Sequence, residues 1–151
     1  EDFIRAAFEA EVPMVGVCFG HQIIAQALGG KVEKFKGGWA VGRQVYDFGG
    51  EQIALNAWHQ DQVVSLPASA TVCATNEFCE NAALLYGKRA FTVQAHPEFE
   101  TDFVQQLAEA RGRGVVPDPL IDEVHAKAKD PIDNNKLAAQ IARFFKERKV
   151  A

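Results

Sequence analysis

A cysteine attacks carbon only as a thiolate, and Cys18 stands where a folded chain could make one. It sits in Gly16-Val17-Cys18-Phe19-Gly20, the G-x-nucleophile-x-G form of a sharp strand-to-helix turn. Small residues on both sides let the chain bend there and lift the nucleophile above a sheet. The next helix would start at the same point, so its dipole would favour thiolate, and the Phe19 N–H would point to where an oxyanion forms. The same five residues also suit an inert cysteine buried at a tight turn, and the pentapeptide by itself leaves both open.

A thiol nucleophile needs a base, and a base on a mobile ring needs a partner that orients it. His96-Pro97-Glu98, beginning seventy-eight residues after Cys18, offers both. Pro97 biases His96 to an extended conformation at the end of a strand, and Glu98 can turn back to hold the far imidazole nitrogen. Taken alone, the tripeptide equally describes a strand-end histidine beside a solvated glutamate. The other candidates are weaker. His21 would open the helix after the elbow and pack beneath it, and His125 reads as a surface histidine. Cys73 and Cys79 are not at zinc-ligand spacing and read as small core hydrophobes. Neither a metal nor a cofactor is expected.

These residues must be carried by a sheet and its helices. Apolar positions recur at helical spacing over residues 2–11, ahead of a short strand Pro13 to Val17 that is apolar on both faces, as in a parallel sheet covered on each side. A helix His21 to Leu28 follows and ends at Gly29-Gly30. Short strands are expected at Val32 to Phe35, Val41 to Phe48, Ile53 to Ala57, Thr71 to Thr75, Ala82 to Tyr86 and Ala90 to Gln94, separated by glycine and proline turns. Helices are expected over Thr101 to Arg111, with Thr101 as N-cap, and Asn134 to Lys149, with Gly112 to Pro119 as a loop. The order gives an α/β fold, a three-layer sandwich around a mostly parallel sheet with an antiparallel excursion in the middle. A helix that feeds directly into a central strand implies that the first strands of such a sheet belong ahead of Glu1.

The length of 151 residues fits one domain spanning 1–151, and 48% apolar with 24% charged residues excludes a disordered chain. A net charge of −4 leaves no basic surplus for a nucleic-acid backbone. The longest apolar runs fall well short of a membrane span, and the first residues lack the pattern of a secretion signal. Three cysteines make no disulfide framework, so a reducing cytoplasm is the expected setting.

Gly16-Val17-Cys18-Phe19-Gly20-His21-Gln22 followed by His96-Pro97-Glu98-Phe99 resembles the class I glutamine amidotransferases, a Cys-His-Glu family with a flavodoxin-like fold. The likeness extends through Leu28-Gly29-Gly30, Trp58-His59-Gln60-Asp61-Gln62-Val63 and Ala74-Thr75-Asn76. It implies that Cys18 is the nucleophile, His96 the general base and acid, Glu98 its orienter and Phe19 an oxyanion donor. It further implies that Gln22 contacts substrate, and that the main chain of Trp58, His59, Gln60 and Asp61 receives the α-amino and carboxylate groups of glutamine. Trp58 and Gln60 replace smaller residues of many synthase-linked members, and His59-x-Asp61-x-Val63 is similar to stand-alone members that include γ-glutamyl peptidases. The family's second oxyanion donor lies in a segment that would precede Glu1. Three functions follow as alternatives: a glutaminase that gives ammonia to a synthase partner, a γ-glutamyl peptidase acting on peptides or glutathione conjugates, and a silent amidotransferase-like binding module.

Overall fold

The computed structural model describes residues 1–150. Helix α1 (Asp2–Glu9) turns through Glu11, at φ 58°, into strand β1 (Met14–Val17), which is followed by helix α2 (Phe19–Ala27). Strands β2 (Lys31–Lys34), β3 (Ala40–Phe48), β4 (Glu51–His59), β5 (Asp61–Ser65), β6 (Thr71–Ala74), β7 (Ala83–Tyr86) and β8 (Ala90–Val93) come next. Helix α3 (Thr101–Leu107) runs into a π-helical turn (Ala108–Gly112), and helices α4 (Asp118–Ala126) and α5 (Asn134–Glu147) complete the described chain.

The central sheet has the order β1-β8-β7-β6. β1 lies parallel to β8, with Val17 opposite Val93, while β8 with β7 and β7 with β6 are antiparallel. The antiparallel excursion therefore reaches into the sheet itself, and two further antiparallel ribbons, β3-β4 and β2-β5, extend from it. Side chains alternate across the sheet with the two-residue period of a strand. On one face Ala83, Phe91 and Val93 pack with Tyr46, Ile53 and Leu55 of the β3-β4 ribbon and with Leu137 and Phe144 of α5. On the other, Leu84, Tyr86 and Ala90 meet Ile24 and Ala25 of α2, with Ile4 and Phe8 of α1 at the margin. This is the expected layered α/β sandwich. A separate apolar cluster joins Val41 of β3 to Val104, Ala108, Ile121 and Val124 from α3, the π-helical turn and α4.

Two elements depart from the sequence expectation. β5 was hidden because Gln60 alone separates it from β4, with no glycine or proline to mark the break. The strand changes partner there, from β3 to β2. The segment Gly112 to Pro119, expected as a loop, closes a π-helical turn and opens α4. Pro119 is tolerated in the first turn of α4 because the N–H it lacks would have had no intrahelical acceptor. Thr101 is also not a cap. Glu100 holds that place, in extended conformation and with no side-chain bond to the helix.

Candidate active site

Cys18 sits at φ 50°, ψ −100°, between the end of β1 and the start of α2. A non-glycine residue in that region is strained and must be held by what surrounds it. The Cys18 N–H donates to the Val93 carbonyl at 2.9 Å, which pins the elbow to β8. Gly16 permits the bend, since a Cβ there would lie 2.6 Å from the Gly20 carbonyl carbon and 2.9 Å from the His21 nitrogen. Gly20 has open space where its Cβ would be, so among the described residues only the first glycine of the motif is required by close contact.

The thiol faces two partners. It donates to the Trp58 carbonyl at 3.9 Å and accepts from Gln94 Nε2 at 3.6 Å. Burial pushes the thiol up to about 11, and the charges of Glu98 and Asp61 add to that, while the Phe19 N–H and Gln94 work against it. The expected preference for thiolate at the helix start is therefore outweighed by desolvation. Cys18 rests as a thiol and needs a base to ionise. Cys73 and Cys79 are likewise pushed up to about 12 by burial, as suits cysteines that only fill space.

His96 follows β8 by three residues, at the same end of the sheet as Cys18. Its N–H donates to the Asn56 carbonyl of β4 at 2.9 Å. Its ring Nδ1 lies 2.7 Å from Glu98 Oε1, and its face is stacked on Phe99 with centroids 3.9 Å apart and planes within 3°. Phe99 is held in turn, because its carbonyl accepts from Asn56 Nδ2 at 2.9 Å and from Asn134 Nδ2, at the start of α5, at 3.2 Å. With Nδ1 engaged by a carboxylate, Nε2 is the nitrogen left to exchange protons.

Cys18, Gln22, Trp58, His59, Gln60 and Asp61 line one cavity of about 220 Å³. Its remaining wall is Lys34 of β2 and Trp39, neither of which was singled out in the sequence. His96 and Glu98 stand outside that lining. The stretch Trp58 to Asp61 is the end of β4, a bend at Gln60 and the start of β5. The Trp58 and Gln60 carbonyls are each engaged once, by the Cys18 thiol and by the Phe35 N–H, so a ligand would use the second lone pair of each, whereas the Asp61 carbonyl already meets both Gln22 Nε2 and His59 Nδ1. The His59 ring is buried, bonded through Nδ1 to the Asp61 carbonyl, and pushed down to about 4 by burial. His21 is fully buried beneath the elbow, as expected, with Nδ1 2.8 Å from Thr92 Oγ1. His125 is less exposed than expected for a surface residue, bridging Glu109 and Gln105 at 2.8 and 3.2 Å. A further hollow of about 510 Å³ beside Phe8, Tyr86 and Arg89 lies by the β7–β8 turn, at the other end of the sheet from Cys18.

A glycine-bounded cysteine at a strained elbow, with a histidine held by a glutamate at the same end of the sheet, is joined by agreement in sequence. The family model for glutamine amidotransferase class-I matches residues 1–102. The chain belongs to the class I glutamine amidotransferases. A glutamine amidotransferase-like protein of Schizosaccharomyces pombe is 33% identical over 145 residues, covering 90% of this chain and 58% of its own length. γ-Glutamyl peptidase 3 of Arabidopsis thaliana is 31% identical over 64% of the chain and 45% of its own length. A glutamine-hydrolyzing GMP synthase subunit of Methanopyrus kandleri is 34% identical over 60% of the chain and 54% of its own length. The chain thus spans only about half the length of these relatives. A glutamine amidotransferase of Thermotoga maritima superposes with a TM-score of 0.69 at 25% identity, over 99% of this chain and 67% of the solved one. A second, from Methylobacillus flagellatus, superposes at 0.77 with 20% identity, a likeness of fold. Among the described residues no helix is long and apolar enough to cross a membrane.

Proposed function

We propose that the protein hydrolyses the side-chain amide of glutamine through a thioester on Cys18. His96 takes the thiol proton, and the sulfur adds to the amide carbon. The oxyanion that forms faces the Phe19 N–H. Collapse breaks the C–N bond, with His96 returning the proton to departing ammonia. A water deprotonated by His96 then attacks the thioester, the sulfur leaves as thiolate and is reprotonated, and glutamate departs. Glu98 keeps Nε2 facing the reaction and offsets the charge His96 acquires.

The observation that carries this is the 2.7 Å His96–Glu98 pair at the end of β8, whose parallel neighbour β1 delivers Cys18 at its strained φ. Cys18→Ala in the full-length protein is expected to abolish both ammonia release from glutamine and labelling by a γ-glutamyl electrophile. Unchanged turnover would remove Cys18 from the mechanism. A complete His-Glu pair at the same end of the sheet as the cysteine speaks against a silent binding module.

The Trp39 and Trp58 wall, with ring centroids 6.2 Å apart, favours a second reading in which the leaving group is larger than ammonia. The likeness to γ-glutamyl peptidase 3 points the same way. Turnover of free glutamine against γ-glutamyl dipeptides at equal concentration separates the two. If glutamine is preferred, the ammonia acceptor belongs to a synthase partner, as the GMP synthase relatives suggest. A cytoplasmic setting fits both readings, with all three thiols unpaired.

A further inference from the structure

Gln94 follows β8, two residues before His96, and its side chain is fully buried at 0% exposure. An amide so placed must match each of its atoms to a partner of the opposite kind. The Asp61 carbonyl can only accept, so Gln22 turns its Nε2 toward it at 2.9 Å. The second hydrogen of that nitrogen reaches Gln94 Oε1 at 3.3 Å. With Oε1 thus engaged, Gln94 presents Nε2 to Cys18 Sγ at 3.6 Å. Each orientation forces the next, from a main-chain carbonyl in the cavity wall to the reacting sulfur.

We propose that Gln94 is a further catalytic residue, a neutral donor that holds the Cys18 thiolate, with Gln22 as the positioning residue that keeps its N–H rather than its C=O against the sulfur. This rests on Cys18 being the nucleophile. When the thiol proton passes to His96, the hydrogen bond from Gln94 becomes charge-assisted and strengthens. When sulfur is acylated the charge is gone and the bond weakens. It forms again as the C–S bond of the second tetrahedral intermediate breaks and sulfur leaves as thiolate. A donor without a titratable proton suits this place, since it cannot compete with His96 for the proton. It also counters the burial that otherwise holds the thiol protonated. The same relay ties the nucleophile to the cavity wall, because a ligand that draws on the Asp61 carbonyl must displace Gln22 Nε2 or His59 Nδ1 from it.

The experiment is the pH dependence of Cys18 alkylation by iodoacetamide in the full-length protein, read by mass spectrometry of the Cys18 peptide, which sets aside the half-buried Cys73 and the buried Cys79. Gln94→Leu is expected to raise the alkylation midpoint by about 1–2 pH units and to slow the reaction about 10- to 100-fold at neutral pH. Gln94→Glu keeps the size and the acceptor for Gln22 but turns an oxygen toward sulfur, so its midpoint should rise at least as far. Gln22→Leu, at a half-buried position on α2, frees the Gln94 amide to flip and should raise the midpoint by a smaller amount. Combined with Gln94→Leu it should add nothing further. Thermal melts of each variant establish that the fold is intact, and if Gln94→Leu fails to fold, the Gln22 and Gln94→Glu variants decide. Midpoints unmoved in the folded variants would overturn the proposal. Failure of a γ-glutamyl electrophile to label wild-type Cys18 would instead overturn the nucleophile assignment on which it rests.

Discussion

Glu98 keeps 54% of its side chain exposed while its partner His96 keeps 15%, and that asymmetry sets what the carboxylate contributes. Solvent screens a charge placed so openly, so in the proposed mechanism Glu98 would serve chiefly to orient the ring, with a smaller part in offsetting the imidazolium charge. Glu98→Gln retains an oxygen that can accept from Nδ1–H, and is expected to lower kcat/KM by about tenfold or less, below the roughly 100- to 10,000-fold span of general acid–base effects. Glu98→Ala loses the orientation as well and should fall further. Steady-state kinetics of the two variants would check this, and equal losses would mean that charge outweighs orientation. Cys18, His96 and Glu98 were legible in the sequence because each sits in a short local motif that glycine or proline punctuates. Gln94, Asn56 and Asn134 were not. They act across separations of 76, 43 and 35 residues, on Cys18 and on the Phe99 carbonyl, and nothing in their local sequence marks the partner.

Among the elements, the π-helical turn is the one whose irregularity reaches the site. It places Gly112 so close to its neighbours that an added Cβ would lie 2.5 Å from Ile121 Cδ1 and 3.1 Å from the Trp58 ring. Trp58 lines the cavity at Cys18, and its carbonyl accepts the Cys18 thiol. A backbone turn outside the 1–102 family match thus supports a wall of the cavity within it. Ile121 is fully buried and has little room to move, so Gly112→Ala is expected to cost about 1–3 kcal/mol of stability through overpacking. It should also lower kcat/KM several-fold by displacing Trp58. Denaturant melts with parallel kinetics would test both parts, and lost stability with unchanged kinetics would mean that the turn does not set the Trp58 position. The pattern of short strands and the long helix α5 could be read from periodicity and turn residues. β5 and α4 could not, because one is continuous with β4 in sequence and the other begins with an aspartate and a proline that also suit a loop. The share of antiparallel pairing in the sheet was likewise hidden, since pairing direction depends on where connections run and not on the strands themselves.

Across the whole molecule, the layered core encloses ionisable groups that tie the stability of the fold to pH. His21 and His59 are both buried, and burial holds them well below the usual histidine value, at about 3 and about 4, with a charge on His59 lowering His21 further. His96 also opposes protonation of His59, while the Asp61 carbonyl and charge favour it. In the unfolded chain both rings titrate near 6.5. Between about 6.5 and 4 the unfolded chain therefore binds protons that the folded protein refuses, and stability falls as pH falls. The contribution is fully present above 6.5 and decreases by up to about 1.4 kcal/mol per pH unit for each histidine below it. Glu109 beside Arg113, and Asp133 accepting from the Ala54 N–H, are held below the ordinary carboxylate range, so they add to the loss only at still lower pH. Urea melts from pH 7.5 to 4.5 should show a plateau above 7 and a decline beneath it, and His59→Gln, which removes one titrating ring, should roughly halve the slope. A decline of unchanged steepness in that variant would assign the acid sensitivity to the carboxylates and leave the buried histidines without a part in it.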